Sequence, residues 1–292
     1  MGGRGLGEPL VARATSQAAS RPGGRGVTSP EARTVAVWRK LVPFRVHVKG
    51  QGPAVVFFHG PWGLTWDAFL DALARRFTVY APEHPGTTPG EPETIQHVQS
   101  LWDLVLCYDE LLDQLGVSTA SFVGHSFGAM VACEVAALRP SRVGKLALLD
   151  PIGFWRDDAP VVNWTLVAPA ELPKWVFHDP DGAAAKKLFA IPDDREEAAL
   201  ARTRLSWAMG CADKFVWPIP DKGLKRRIHR IEATPTLLMW GEHDRLVPLV
   251  YEQEFRRHLT RARVEIVKRA GHAPHLEQAA EAATVVAQFL AG

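Results

Sequence analysis

The chain has no apolar run of about 18 residues or more, the length a helix needs to cross a bilayer, so nothing in its 292 residues predicts a membrane span. It is short of cysteine: Cys107, Cys133 and Cys211 form an odd set without CxxC spacing, each in an apolar or mixed segment. They read as free thiols in a reducing compartment, and the expected location is the cytoplasm. Neither sign of charge dominates. Lys+Arg number 34 against Asp+Glu 32, net +2, and the two signs are interleaved rather than gathered in blocks, so no nucleic-acid partner is expected. Near the start there is no apolar stretch of the kind that marks a secretion signal. Residues 1–33, with Gly2, Gly3, Gly23, Gly24, Ser16, Ser20 and several arginines, lack helical and strand periodicity and are expected to be a disordered tail. Their Arg and Ser content suits a transit peptide, but they have no amphipathic face. A functionless tail or an upstream start codon is the expectation.

What the sequence does have is apolar residues, 47% of the chain, enough for one large core with a subdomain. From Val35 onward, short apolar runs alternate with longer amphipathic ones, the pattern of a mostly parallel sheet flanked by helices. Expected strands are Val35–Leu41 and Phe44–Val48, a hairpin around Pro43, then Ala54–Phe58, Phe77–Ala81, Ser121–Val123, Lys145–Leu149, Thr236–Trp240 and Val264–Val267. A long helix is expected over Ile95–Leu115, where Val98, Leu101, Trp102, Val105, Leu112 and Leu115 recur at spacings of three and four, and a closing helix over Ala279–Leu290. After Asp150 the rhythm breaks into a segment rich in Trp, Pro and charge, with helical stretches at Ala183–Phe189 and Glu196–Met209. The domain reading is a tail over 1–33, a core over 34–152 and 233–292, and an inserted helical cap over 153–232. No internal repeat is visible.

The strand Ser121–Val123 runs into Gly124-His125-Ser126-Phe127-Gly128 and then into a helix-compatible apolar run ending before Pro140. GxSxG alone recurs by chance, and a serine between glycines can be a plain helix cap. Here it lies between a strand and a helix, where a sharp turn would present Ser126 near free helix N–H groups, with Gly124 and Gly128 removing collisions at the turn. A serine hydroxyl is a weak nucleophile, so it needs a general base of pKa near neutrality, a histidine. There are 11.

The elbow, the His59-Gly60 loop after Ala54–Phe58, the Gly241-Glu242-His243-Asp244-Arg245-Leu246-Val247-Pro248 loop and the Gly271-His272 loop occur in an order that resembles the α/β-hydrolase superfamily over Val35–Leu290. The fold class this implies is the α/β-hydrolase fold, a mostly parallel sheet flanked by helices, with an inserted helical cap. The resemblance further implies Ser126 as nucleophile, His272 as base and Asp244 as acid. His275 is the rival base, and Asp150 the rival acid, since some relatives carry their acid after the preceding strand. The HxxH pair His272/His275 makes a poor metal site without a carboxylate partner, so no metal and no cofactor are expected. The oxyanion donors implied are the N–H of Phe127 and one from the His-Gly loop. Relatives place the latter directly after His-Gly, where this chain has Pro61, which has no N–H. The donor is therefore expected to shift to Trp62.

Within the superfamily the chain looks like the capped serine hydrolases: carboxylesterases, cofactor-free haloperoxidases and meta-cleavage product hydrolases. Epoxide hydrolases and haloalkane dehalogenases use an aspartate nucleophile, where this chain has Ser126. Carbon-carbon bond hydrolases typically have tryptophan after the base, where this chain has Ala273. The cap holds Trp155, Trp164, Trp175, Trp207 and Trp217. Most are expected in the cap's own small core, with Trp155 and Trp62 as the substrate-binding candidates of an apolar pocket. The expected reaction is cleavage of a carboxylic ester or lactone of a small to medium, largely apolar substrate through an acyl-enzyme. The alternatives are a carbon-carbon bond hydrolase acting on a vinylogous diketone, or a ligand receptor that retains the triad. The expected partner is a small-molecule substrate, and the oligomeric state is left open.

Overall fold

The computed structural model describes residues 29–292; of the expected tail, residues 1–28 lie outside the described residues. The chain forms β1 (Glu31–Val37), β2 (Val42–Lys49), β3 (Ala54–Phe58), α1 (Ala68–Leu73), β4 (Thr78–Pro82), α2 (Leu101–Gln114), β5 (Ala120–His125), α3 (Phe127–Leu138) and β6 (Val143–Leu149). Then come α4 (Leu172–Val176), α5 (Ala183–Leu188), α6 (Arg195–Val216), α7 (Leu224–Arg227), β7 (Thr236–Gly241), α8 (Tyr251–His258), β8 (Ala262–Val267), α9 (Pro274–Glu277) and α10 (Ala279–Ala291). One eight-stranded sheet runs in the order β1-β2-β4-β3-β5-β6-β7-β8. Pairing is antiparallel through β1, β2 and β4 and parallel from β4 to β8.

The central strands are apolar at consecutive positions because both faces of the sheet are covered. Successive side chains point to opposite faces. Val56, Phe58, Phe122, Leu146, Leu148, Leu238 and Trp240 join one core with α2, α3 and α8, while Val55, Phe57, Val123, Ala147, Leu149, Leu237 and Met239 join a second with α1 and α10. Each such buried Leu or Phe contributes about 1.5–3 kcal/mol of transfer free energy, so shifting a strand by one residue would misplace a whole row. That register brings the C-terminal ends of β3, β5, β6, β7 and β8 to one edge.

Three expectations need correction. The first hairpin turns at Trp38–Leu41, with Trp38, Arg39 and Lys40 all at positive φ, and Pro43 lies inside β2. It is tolerated because β4 pairs with β2 only from Val46 onward, leaving one strand neighbour at Pro43. Residues 31–33, expected in the tail, pair with Val46–Val48 as the start of β1. The helix expected from Ile95 begins instead at Leu101. Ser100 accepts from the Asp103 N–H while the Asp103 carboxylate accepts from the Ser100 N–H, a capping box that fixes the start. Ile95 falls in a separate 3-10 turn, Pro92–His97.

The segment between β6 and β7 carries α4 to α7. It is tied to the core by Arg227, whose guanidinium meets both oxygens of the buried Glu134 of α3 at 2.7 and 2.6 Å. The fork geometry suits a carboxylate.

Candidate active site

Strand β5 delivers Ser126 at φ 54 and ψ −117, a conformation rare for a residue with a Cβ. The turn closes only because glycines flank it. A Cβ at Gly128 would lie 2.1 Å from the Phe58 carbonyl oxygen, and one at Gly124 2.6 Å from the Ala129 Cα. Phe127 opens α3, so its N–H is among those at a helix start without an intrahelical acceptor.

Ser126 Oγ lies 2.7 Å from His272 Nε2, and His272 Nδ1 lies 2.8 Å from Asp244 Oδ2. A carboxylate only accepts, so Nδ1 carries the proton and donates to Asp244. Nε2 is then the acceptor for the Ser126 hydroxyl proton. Asp244 Oδ1 accepts two further bonds, from the N–H groups of Leu246 and Val247 at 2.8 and 2.9 Å, which hold the carboxylate in one orientation. The side chains of His272 and Asp244 are fully buried, as is Ser126. The His272 loop is pinned twice: its N–H donates to the Val176 carbonyl at the end of α4, and its carbonyl accepts from His125 Nε2–H. Such an arrangement can take a proton from Ser126 as its oxygen attacks a carbonyl carbon and stabilise the resulting imidazolium.

The His-Gly loop is locked by a chain of bonds that fixes two tautomers. Tyr108 O–H donates to His84 Nδ1, and His84 Nε2–H donates to the His59 carbonyl. The His84 backbone N–H donates to His59 Nε2, so His59 Nδ1–H donates to the Gly60 carbonyl. Burial holds both rings neutral, His84 down to about 4 and His59 well below the ordinary value. Trp62 then turns inward, its ring edge-on to Trp164 and Phe189 of the inserted segment at 6.2 and 5.8 Å. Its indole N–H is buried without a partner among the described residues.

Among the described residues, Asp150, Asp244 and His272 form a cluster of potential metal-ligand atoms within 4.8 Å of one another. A cation there would have to displace the His272-Asp244 bond, so the donor set reads as a proton-holding group and not as a metal cradle.

A model of the alpha/beta hydrolase family matches residues 55–285. The chain belongs to that family. Among its relatives, sn-1-specific diacylglycerol lipase ABHD11 of Mus musculus is 27% identical, covering 82% of this chain and 81% of its own. The 2-hydroxymuconate semialdehyde hydrolase of Pseudomonas sp. (strain CF600) is 28% identical over 84% of this chain and 89% of its own. In fold the chain is similar to a bacterial membrane phospholipase A, with TM-score 0.74, 23% identity and coverage of 92% of this chain and 88% of that one.

Other expected site residues fall elsewhere in this α/β hydrolase. Trp155 lines a surface depression with Ile219, Asp221, Lys222, Gly223, Lys225 and Arg226, and its indole N–H donates to Asp157, so the structure does not bring it to Ser126. The chain turns at Gly153, whose φ is 123; beyond that turn Phe154 packs on Phe255 of α8. His275, the rival base, is buried against Phe57, Phe69 and His125, and burial lowers its pKa to about 3. Glu242 is exposed beside His243. The three cysteines are free and buried. No helix of the described residues is long and apolar enough to cross a membrane.

Proposed function

We propose that this α/β hydrolase cleaves a carboxylic ester or lactone of a small to medium, largely apolar substrate through an acyl-enzyme. Ser126 Oγ bonds to the carbonyl carbon and its proton passes to His272 Nε2. The proton then goes to the departing alcohol oxygen as the ester C–O bond breaks, and a water activated by His272 releases the acid. Asp244 holds the imidazole in its Nδ1–H tautomer. The Phe127 N–H is the proposed oxyanion donor at the helix start, with Trp62 supplying the other in place of Pro61. The observation that carries the reading is the unbroken line Ser126–His272–Asp244, with spacings of 2.7 and 2.8 Å.

We assign residues 153–232 as the cap. Because Ser126 is fully buried, substrate reaches it only when cap segments such as the α4 end move, and the apolar rings of Trp62, Trp164 and Phe189 favour an apolar group beside the reacting carbonyl. The relatives' names divide between lipase and semialdehyde hydrolase, and the cap arginines favour the ester. Carbon-carbon cleavage of a vinylogous diketone calls for a cation facing the nucleophile to bind its acid group. Arg156 is bound to Asp158 and Glu254, Arg227 to Glu134 and Arg230 to the Ala137 carbonyl, while Arg195, Arg202, Arg204 and Arg226 are exposed.

A chain-length series of nitrophenyl esters, run beside lactones and a vinylogous diketone, tests this. Turnover of short to medium apolar esters, falling with polar or charged acyl groups, is the expected result. Fast cleavage of the diketone with every ester and lactone inert would overturn it, as would acylation without release.

A further inference from the structure

Two carboxyl groups, not one, are buried behind His272. Asp150 directly follows β6, at φ 46, and is wholly buried. Its backbone N–H donates to the Met239 carbonyl, and its Oδ1 accepts from the Gly241 N–H at 2.9 Å. Its Oδ2 has no hydrogen-bond partner among the described residues, and the carboxyl lies beside Asp244 and His272, with an atom of each within 4.8 Å of the others. Two ionised carboxylates this close, both out of water, would repel strongly, which favours a proton on one of them. The donors decide which keeps it. Asp244 accepts three N–H bonds, from Leu246, Val247 and His272. Asp150 accepts one.

We propose that Asp150 is a positioning residue, held as the neutral carboxylic acid, whose Oδ2–H donates to Asp244 and so orients the carboxylate that holds His272. The inference rests on the Ser126–His272–Asp244 reading. The titratable groups facing Asp150 are Asp244 from the loop after β7, His272 from the loop after β8 and Glu277 from α9. Burial first, then the Asp244 charge, lifts its pKa well above the usual carboxylate range, and the Gly241 N–H opposes this only in part. Held neutral, Asp150 adds no second negative charge beside the imidazolium. As a donor it replaces the water that an exposed Asp244 would otherwise bind.

The test uses the full chain, a fluorophosphonate probe and two variants. With Asp150 neutral, Asp150→Asn exchanges one neutral donor for another, so the acid limb of the labelling-rate profile, set by protonation of His272, keeps its midpoint and most of its rate. An ionised Asp150 predicts the opposite. Removing its charge would lower the imidazole pKa and move the limb to lower pH by about 1 unit or more. Asp150→Val cannot donate. Asp244 then holds the imidazolium more tightly, the limb moves to higher pH and the rate falls by about 10- to 100-fold, the worth of a hydrogen bond to a charged group. A merely structural residue would leave the midpoint in place in both variants, and that result would overturn the proposal. Infrared spectra add a readout that needs no activity: unsubstituted protein at pH about 8, where ordinary carboxyl groups are ionised, shows a protonated-carboxyl C=O band that Asp150→Asn removes. A spectrum of the unsubstituted protein without that band would also overturn it. Failure of the unsubstituted protein to label counts instead against the Ser126 reading, leaving the infrared result to decide on Asp150.

Discussion

Ser126→Ala is expected to lower ester turnover by about a million-fold, the scale seen when the nucleophile of a comparable triad is removed. The loss comes from one atom. Without Oγ no acyl-enzyme forms, and His272 Nε2 has nothing to deprotonate except water held less well. The fold should survive, because alanine keeps the Cβ that already sits at φ 54 between Gly124 and Gly128, and the helix N–H groups of α3 do not depend on the hydroxyl. Steady-state turnover measured beside the thermal midpoint checks both halves. Retained turnover in the folded variant would remove Ser126 from the mechanism.

Asp244→Asn is expected to cost about 10⁴-fold in turnover, the size reported for the same exchange in a serine protease. The geometry says why. Asp244 Oδ1 accepts the N–H groups of Leu246 and Val247, so the asparagine carbonyl oxygen takes that position and its NH₂ faces His272 Nδ1. Nδ1 must then accept, the ring proton moves to Nε2, and Nε2 can no longer take a proton from Ser126. The volume is unchanged, so stability should fall little. Turnover within a few-fold of the parent in Asp244→Asn, with Asp150→Asn abolishing it, would move the acid to the end of β6.

The parts of this site that could be read from the sequence are those whose chemistry is local. Gly124 and Gly128 flank Ser126 within five residues, and the backbone crowding they relieve, against Phe58 and Ala129, is a property of any such turn. The alternation of β3 to β7 was legible as apolar runs because both sheet faces are buried. What stayed hidden depends on residues distant in the chain. Nothing around His84 or Tyr108 announces that they lock the His59-Gly60 loop, since the partners are 25 and 24 residues apart. Trp155 looked close to the strand end in sequence, yet the chain turns at Gly153, where φ is 123, and carries it to the surface. Asp150 was visible as a rival acid but not as a partner of the chosen one, because only the tertiary fold counts the N–H donors each carboxyl receives. The turn at Trp38–Lys40 was missed because three consecutive non-glycine residues at positive φ run against local preference.

The central claim is that Ser126 is the nucleophile, and the most direct test is to map a fluorophosphonate adduct on the unsubstituted protein by peptide mass spectrometry. The account predicts one adduct per chain, on the peptide carrying Gly124-His125-Ser126-Phe127-Gly128, formed only while the protein is folded and suppressed by an ester substrate in competition. An adduct on another serine, or a folded protein that takes no adduct at all, would contradict it.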